Sequence, residues 1–242
     1  MTSRAGRSRF DTTRWSVVLT AAGGDTSGAH QALATLCETY WYPLYAHVRR
    51  QGYAAADAED LTQAFFARLL EKHDVEDARR DRGRFRSFLL ASLRHFLLNE
   101  AQHQRTLKRG GGHVLLSLDF QTAEGRYLRE PAEPSTPDTI FDRRWALTVL
   151  DRVLRRLRQD AAAAGKIAEL DALKTCLTGE MPHGSYRALG HELGLSEGAV
   201  KVAVHRLKRR FQRFLREEIA QTVLNSEAID EEIQYLFAAL KR

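Results

Sequence analysis

Between Ser196 and Arg213 the chain reads SEGAVKVAVHRLKRRFQR. Val200, Val204, Leu207 and Phe211 recur at helical spacing and mark one side as buried. The other side carries Lys201, His205, Arg206, Lys208, Arg209, Arg210 and Arg213 against the single acid Glu197. A solvated helix face normally mixes signs, and this one barely does. A helix of this kind suits the major groove, where its first residues reach base edges and its later cations reach phosphates. Ser196, Glu197, Lys201 and Val202 stand at the start; His205, Arg206, Arg209 and Arg213 follow along the face.

An element is needed to brace that helix, and the residues before it supply one. Tyr186 to Leu193 has helical spacing, with Leu189 and Leu193 on its buried side. Gly194 ends it, since glycine takes a left-handed cap without steric cost. Ser196 caps the next helix, and Glu197 suits its first turn. Gly190 falls where the two helices cross and lets their backbones approach. The pattern predicts a helix-turn-helix.

The whole chain has 242 residues and a formal charge of +6, which agrees with a nucleic-acid partner. Helix formers dominate and alternating β-branched runs are missing, so the predicted fold is all-α: two helical domains joined by a flexible linker, the second with the helix-turn-helix. Cys37 and Cys176 read as small buried hydrophobes in a reducing compartment. No apolar run reaches the length of a membrane span, and the basic start lacks a signal-peptide core. The expectation is a cytoplasmic protein with no metal, no cofactor and no membrane contact. No nucleophile motif, metal spacing or glycine-rich phosphate loop points to an enzyme.

The predicted boundaries run as follows. Residues 1–13 are a disordered start, with a short helix beginning at Trp15, Val18 and Leu19. Residues 14–109 form the first domain, 110–139 the linker, 140–223 the second domain and 224–242 an amphipathic tail. In the first domain a helix from about His30 is predicted to break or kink at Pro43. Asp57 to Glu71 reads as the next helix, capped by Asp57, with Glu59 and Asp60 favoured by the helix dipole and Leu61, Phe65 and Leu69 as its seam. Capping alone is the plain alternative for these acids. Phe85 opens a long helix whose other side carries Arg94, His95, Asn99, Gln102, His103 and Arg105. Such groups can hold the bases of a single strand, or simply form a solvated face. Three of the five prolines lie in the linker, with a local element around Val114 to Leu118. In the tail, Ile229, Ile233, Leu236, Phe237 and Leu240 share a face, started by Ser226. The stripe is costly to leave in water, so it should dock. The favoured surface is the second domain, around Trp145 to Leu157 and the helix-turn-helix; the first domain and a separate regulatory protein are the others.

DAEDLTQAFFARLL, then GRFRSFLLASLRHFLLNEAQHQR, then a proline-rich linker, then SYRALGHELGLSEGAVKVAVHRLKRR closely resembles the extracytoplasmic-function sigma factors over residues 14–107 and 140–222. The resemblance implies that the first domain is sigma region 2 and the second is region 4. It implies binding to the clamp helices of core RNA polymerase through Asp57, Glu59, Asp60, Gln63 and Phe66. It implies opening of the minus-ten promoter element through Arg94, His95, Asn99, Gln102 and Arg105. It implies reading of the minus-thirty-five element through Ser196, Glu197, Lys201, His205, Arg206, Arg209 and Arg213. His95 stands where the family often has asparagine, Phe88 where it often has tryptophan, and Gly190 where it often has alanine. The tail lies beyond the family layout.

The implied function is a sigma subunit, a monomer when free, that directs promoter-specific initiation with promoter DNA and polymerase as partners. An anti-sigma factor is one regulatory partner to consider. A Ser/Thr kinase is another, acting at Thr62 inside the acidic helix, although an ordinary helical threonine is the plainer reading. The rival function is a stand-alone helix-turn-helix regulator, which leaves the first domain unexplained.

Overall fold

The computed structural model describes residues 27–72, 84–106, 124–125, 127–128, 136–178 and 185–241. Segment 1–13, the helix expected from Trp15 and the element around Val114 to Leu118 lie outside the described residues, as does most of the linker. The chain is all-α. Its only bridge among the described residues is an isolated antiparallel pairing of Arg84 with Val223.

Helix α1, Ser27–Arg50, continues through Pro43 rather than breaking there. An internal proline costs a helix about 3 kcal/mol. Tyr40, Tyr42, Leu44, Tyr45, Ala46 and Val48 around it are all buried. Each large side chain gains roughly 1.5–3 kcal/mol from full burial, so packing outweighs the local penalty. Helix α2 is Ala55–Lys72 and begins two residues before Asp57, which therefore sits in the first turn instead of capping. Leu61, Phe65 and Leu69 are buried as their spacing predicts. Helix α3 is Phe85–Thr106, and its Phe96 meets Phe65 edge-on at 5.8 Å.

Helix α4, Pro137–Ala163, starts three residues before the predicted Ile140. Thr136 caps it by accepting the Thr139 N–H at 3.2 Å, and proline suits the first helical position because its missing N–H has no partner there anyway. After it come α5 (Ile167–Leu173), a 3-10 turn (Lys174–Leu177), α6 (Tyr186–Leu193), α7 (Glu197–Ala220) and α8 (Glu227–Lys241).

Contacts divide the chain into one unit of residues 1–148 with 219–242 and another of 149–218. The boundaries between these units fall inside α4 and α7. The reason on the N-terminal side is visible in the core. Phe141 and Trp145 are fully buried in the first unit, and the Trp145 indole N–H donates to the Tyr40 hydroxyl at 3.0 Å.

The tail helix α8 also belongs to the first unit. It meets Asp142 and Trp145 of α4, at one end of the favoured surface, and also Arg84 and Arg86 at the start of α3, in the other predicted domain. Ser226 stands just before its first residue, Glu227, and Asn225 Oδ1 accepts the Ala228 N–H at 2.9 Å. The buried side is Ile229, Glu232, Leu236 and Ala239, while Phe237 is 41% exposed. The predicted apolar face is thus turned so that an acid faces inward. Glu232 is held there by Arg86, itself buried, at 3.0 Å from Arg86 Nε to Glu232 Oε1. Arg86 also donates to Asp142 at 3.0 Å and lies over the rings of Trp145 and Tyr235. Burial alone would lower the Arg86 pKa, but the bond to Glu232 and the charges of Glu232 and Asp142 outweigh it and raise it.

In the second unit Val149, Val153 and Leu157 of α4, Leu173, Cys176, Leu189, Val200, Val204 and Leu207 make the core. Phe211, expected in that row, is only half-buried; Phe214 and Leu215 take the buried places after it. Both cysteines are buried and free, and burial pushes both thiols up.

Candidate nucleic-acid interface

Helix α6 starts at a cap where Ser185 Oγ accepts the Ala188 N–H at 3.1 Å. It stops at Gly194, whose φ of 65° is left-handed, with the Gly194 N–H returned to the Gly190 carbonyl. Leu195 N–H donates to the same carbonyl at 2.8 Å. A Cβ on Gly190 would lie 2.6 Å from the Leu195 carbonyl oxygen, a backbone atom that cannot move aside alone. The turn is this tight because residue 190 has no side chain. Ser196 Oγ then caps α7 by accepting the Ala199 N–H at 3.2 Å, so its hydroxyl is committed to the helix start.

The outward face of α7 is basic along its length. Lys201, His205, Arg206, Arg209 and Arg213 are all exposed, and Val202 is 48% exposed among them. Lys201 Nζ lies 2.7 Å from Glu197 Oε1 and over the Tyr186 ring. That bond lowers the Glu197 pKa and raises that of Lys201. An exposed pair contributes at most about 1 kcal/mol, so either member can be drawn off to a new partner. Arg213 is 3.7 Å from Glu217, and Arg210 is 3.0 Å from Asp160. Arg206, Arg209, Arg210 and Arg213 together line one open groove. This arrangement can neutralise a phosphate row while presenting one acceptor, one donor and one methyl surface near the helix start.

On α3, Arg94, His95, Asn99 and Gln102 are exposed on one side. The Arg105 and His103 side chains lie outside the described residues. Leu98, 65% exposed, stands in the middle of this polar face. It escaped notice in the sequence, although its position opposite the buried row of Phe85, Phe88, Leu89, Leu93 and Phe96 is the signal that finds it. Arg94 is ion-paired to Asp138 of α4.

On α2 the five residues tied to polymerase do not share one surface. Asp57 and Asp60 are exposed, and Glu59 and Gln63 are half-buried with Gln63 Nε2 3.4 Å from Glu59 Oε1. Phe66 is fully buried and supports the helix from inside. Two adjacent aromatic residues, Phe65 and Phe66, are both covered because α2 packs against both α1 and α3. Thr62 is likewise fully buried, and its hydroxyl donates to the Ala58 carbonyl at 2.7 Å. The hydroxyl expected as a phosphosite is thus covered in this fold.

Among the described residues, no group of His, Cys, Asp and Glu could hold a metal ion, and no helix is long and apolar enough to cross a membrane. No curated protein and no solved structure matches the chain. A family model described as ECF sigma factor matches residues 26–218.

Proposed function

The chain belongs to the ECF sigma factor family, and from that membership and the exposed faces of α2, α3 and α7 we propose how it initiates transcription. Residues 14–109 act as sigma region 2. Asp57, Glu59, Asp60 and Gln63 on α2 engage basic groups on the clamp helices of core RNA polymerase. Residues 140–223 act as region 4, where Arg206, Arg209 and Arg213 hold phosphates and Glu197, Lys201 and Val202 read base edges of the minus-thirty-five element. Arg94, His95, Asn99, Gln102 and Arg105 on α3 take up the opened minus-ten strand. Unstacking a base costs a few kcal/mol, which hydrogen bonds and stacking in the protein offset. His95 can donate or accept, so base capture continues with altered preference. Bond formation belongs to the polymerase.

What carries this reading is the extent of the match, which spans both the acid-fronted α2 and the basic α7. A stand-alone regulator needs only the second of these. Mixing the full chain with core polymerase and, separately, with duplex promoter DNA tests the choice. A one-to-one complex with core polymerase is expected. Tight binding to DNA alone, as a dimer, would overturn it.

A further inference from the structure

Each arginine side chain described along α3 and its start is held by a carboxylate from later in the chain. Arg84 Nη2 lies 2.7 Å from Glu231 Oε2, and Arg84 Nε lies 3.3 Å from Glu232 Oε2. Arg86 is taken by Glu232 and Asp142, and Arg94 by Asp138. Within the first unit, the helix read as the minus-ten helix is thus covered by acids at its start and on its outer face.

These pairs are of two kinds. Arg84 and Arg94 are 29% and 49% exposed at the side chain, and their partners Glu231 and Asp138 are 71% and 46% exposed. Water screens such pairs, and they exchange partners readily. Arg86 and Glu232, at 8% and 1%, are shut away from water. A buried pair flanked by two aromatic rings does not open on its own. Around it the Tyr235 hydroxyl donates to Asp142, and the Phe85 N–H donates to the Thr222 carbonyl at 3.0 Å. The buried set is an anchorage. The exposed set is a screen that the anchorage holds in position.

We propose that α8 and the first turn of α4 form an autoinhibitory contact. They keep Glu231 and Asp138 on Arg84 and Arg94, the places that phosphates of a promoter strand would otherwise occupy. Nucleic acid then binds α3 only by displacing carboxylates: release of α8 frees Arg84, and displacement of Asp138 frees Arg94. The inference rests on the reading of α3 as a DNA-binding helix.

The test uses the full chain and a fluorescein-labelled single-stranded DNA of mixed sequence. Binding is measured by anisotropy over a salt series for the parent, for Asp138→Asn with Glu231→Gln, and for a charge-matched control, Glu38→Gln with Glu227→Gln. Each freed cation that neutralises a single-strand phosphate steepens the slope of log K against log salt by about 0.7; Asp138→Asn frees Arg94 while Arg84 keeps Glu232, so the screen variant should steepen it by at least about 0.7. The control should tighten binding without changing the slope. Equal slopes in the two variants would overturn the proposal, as would no strand binding by any variant of a parent that initiates at promoters with core polymerase. A parent that fails to initiate would instead overturn the sigma reading. Deleting residues 224–242 should also steepen the slope; if the shortened chain does not fold, the point variants decide alone.

Discussion

Arg86 grips Glu232 with two N–H groups, Nε to Oε1 at 3.0 Å and Nη2 to Oε2 at 3.2 Å, across 146 residues of chain. Neither partner has water to turn to. Removing one partner of a buried pair typically costs about 3–5 kcal/mol, because the other charge stays behind. Asp142 still faces Arg86, so Glu232→Ala should fall toward the lower end of that range in urea unfolding. Arg86→Met together with Glu232→Leu should be much less damaging than either single change. Additive losses in this double-mutant cycle would show that the two residues do not act as a pair.

Acid should loosen the first unit through His47. The ring is 1% exposed, beside Gln51 and edge-on to Phe141, with Asp138 at 3.8 Å and Arg94 beyond it. Burial lowers its pKa from 6.5, more than the backbone of Pro137 and the Asp138 charge raise it. A base whose folded pKa is depressed holds its stabilising contribution above the unfolded value. That contribution is lost as pH falls below 6.5. Thermal unfolding between neutral pH and mild acid should show falling stability, and His47→Gln should reduce the fall. An identical fall in both proteins would remove His47 as its cause.

On α7, base choice and general affinity should separate. Arg209→Ala or Arg213→Ala should weaken binding to all sequences alike and flatten the salt slope by roughly 0.9 on duplex DNA. Glu197→Ala or Lys201→Ala should change the selected motif, at about 1–3 kcal/mol per lost base contact. A binding selection that returns the parental motif for both variants would contradict the base-reading role.

On α2, Asp60→Arg with Gln63→Ala reverses a charge on the exposed acidic side and leaves the buried seam untouched. Competition for core polymerase against another sigma factor should weaken at least tenfold, about 1.4 kcal/mol. DNA binding by α7 should be unaffected. Undiminished competition would move the polymerase contact elsewhere.

Much of this was legible because its causes are local. Tyr186–Leu193 begins and ends at the predicted residues, since Ser185, Gly194 and Ser196 set caps through their own backbone and side chains. The seam of Leu61, Phe65 and Leu69 follows from spacing alone. What escaped depends on distant partners. Glu232 reads as a polar residue on an exposed side until Arg86 is brought to it. Phe66 and Thr62 look available on a helical projection because one sequence does not tell how many neighbours cover α2. Thr136 and Pro137 are a clear start signal, hidden in a stretch whose proline content reads as linker.

If the chain makes RNA polymerase choose promoters, transcription initiation itself will show it. Core polymerase reconstituted with the full chain would be given fragmented genomic DNA, and transcript 5′ ends would be mapped by sequencing. Discrete start sites are expected that share an upstream pair of elements, vanish without the chain and shift in motif with Lys201→Ala. Start sites no different from those of core polymerase alone would contradict it.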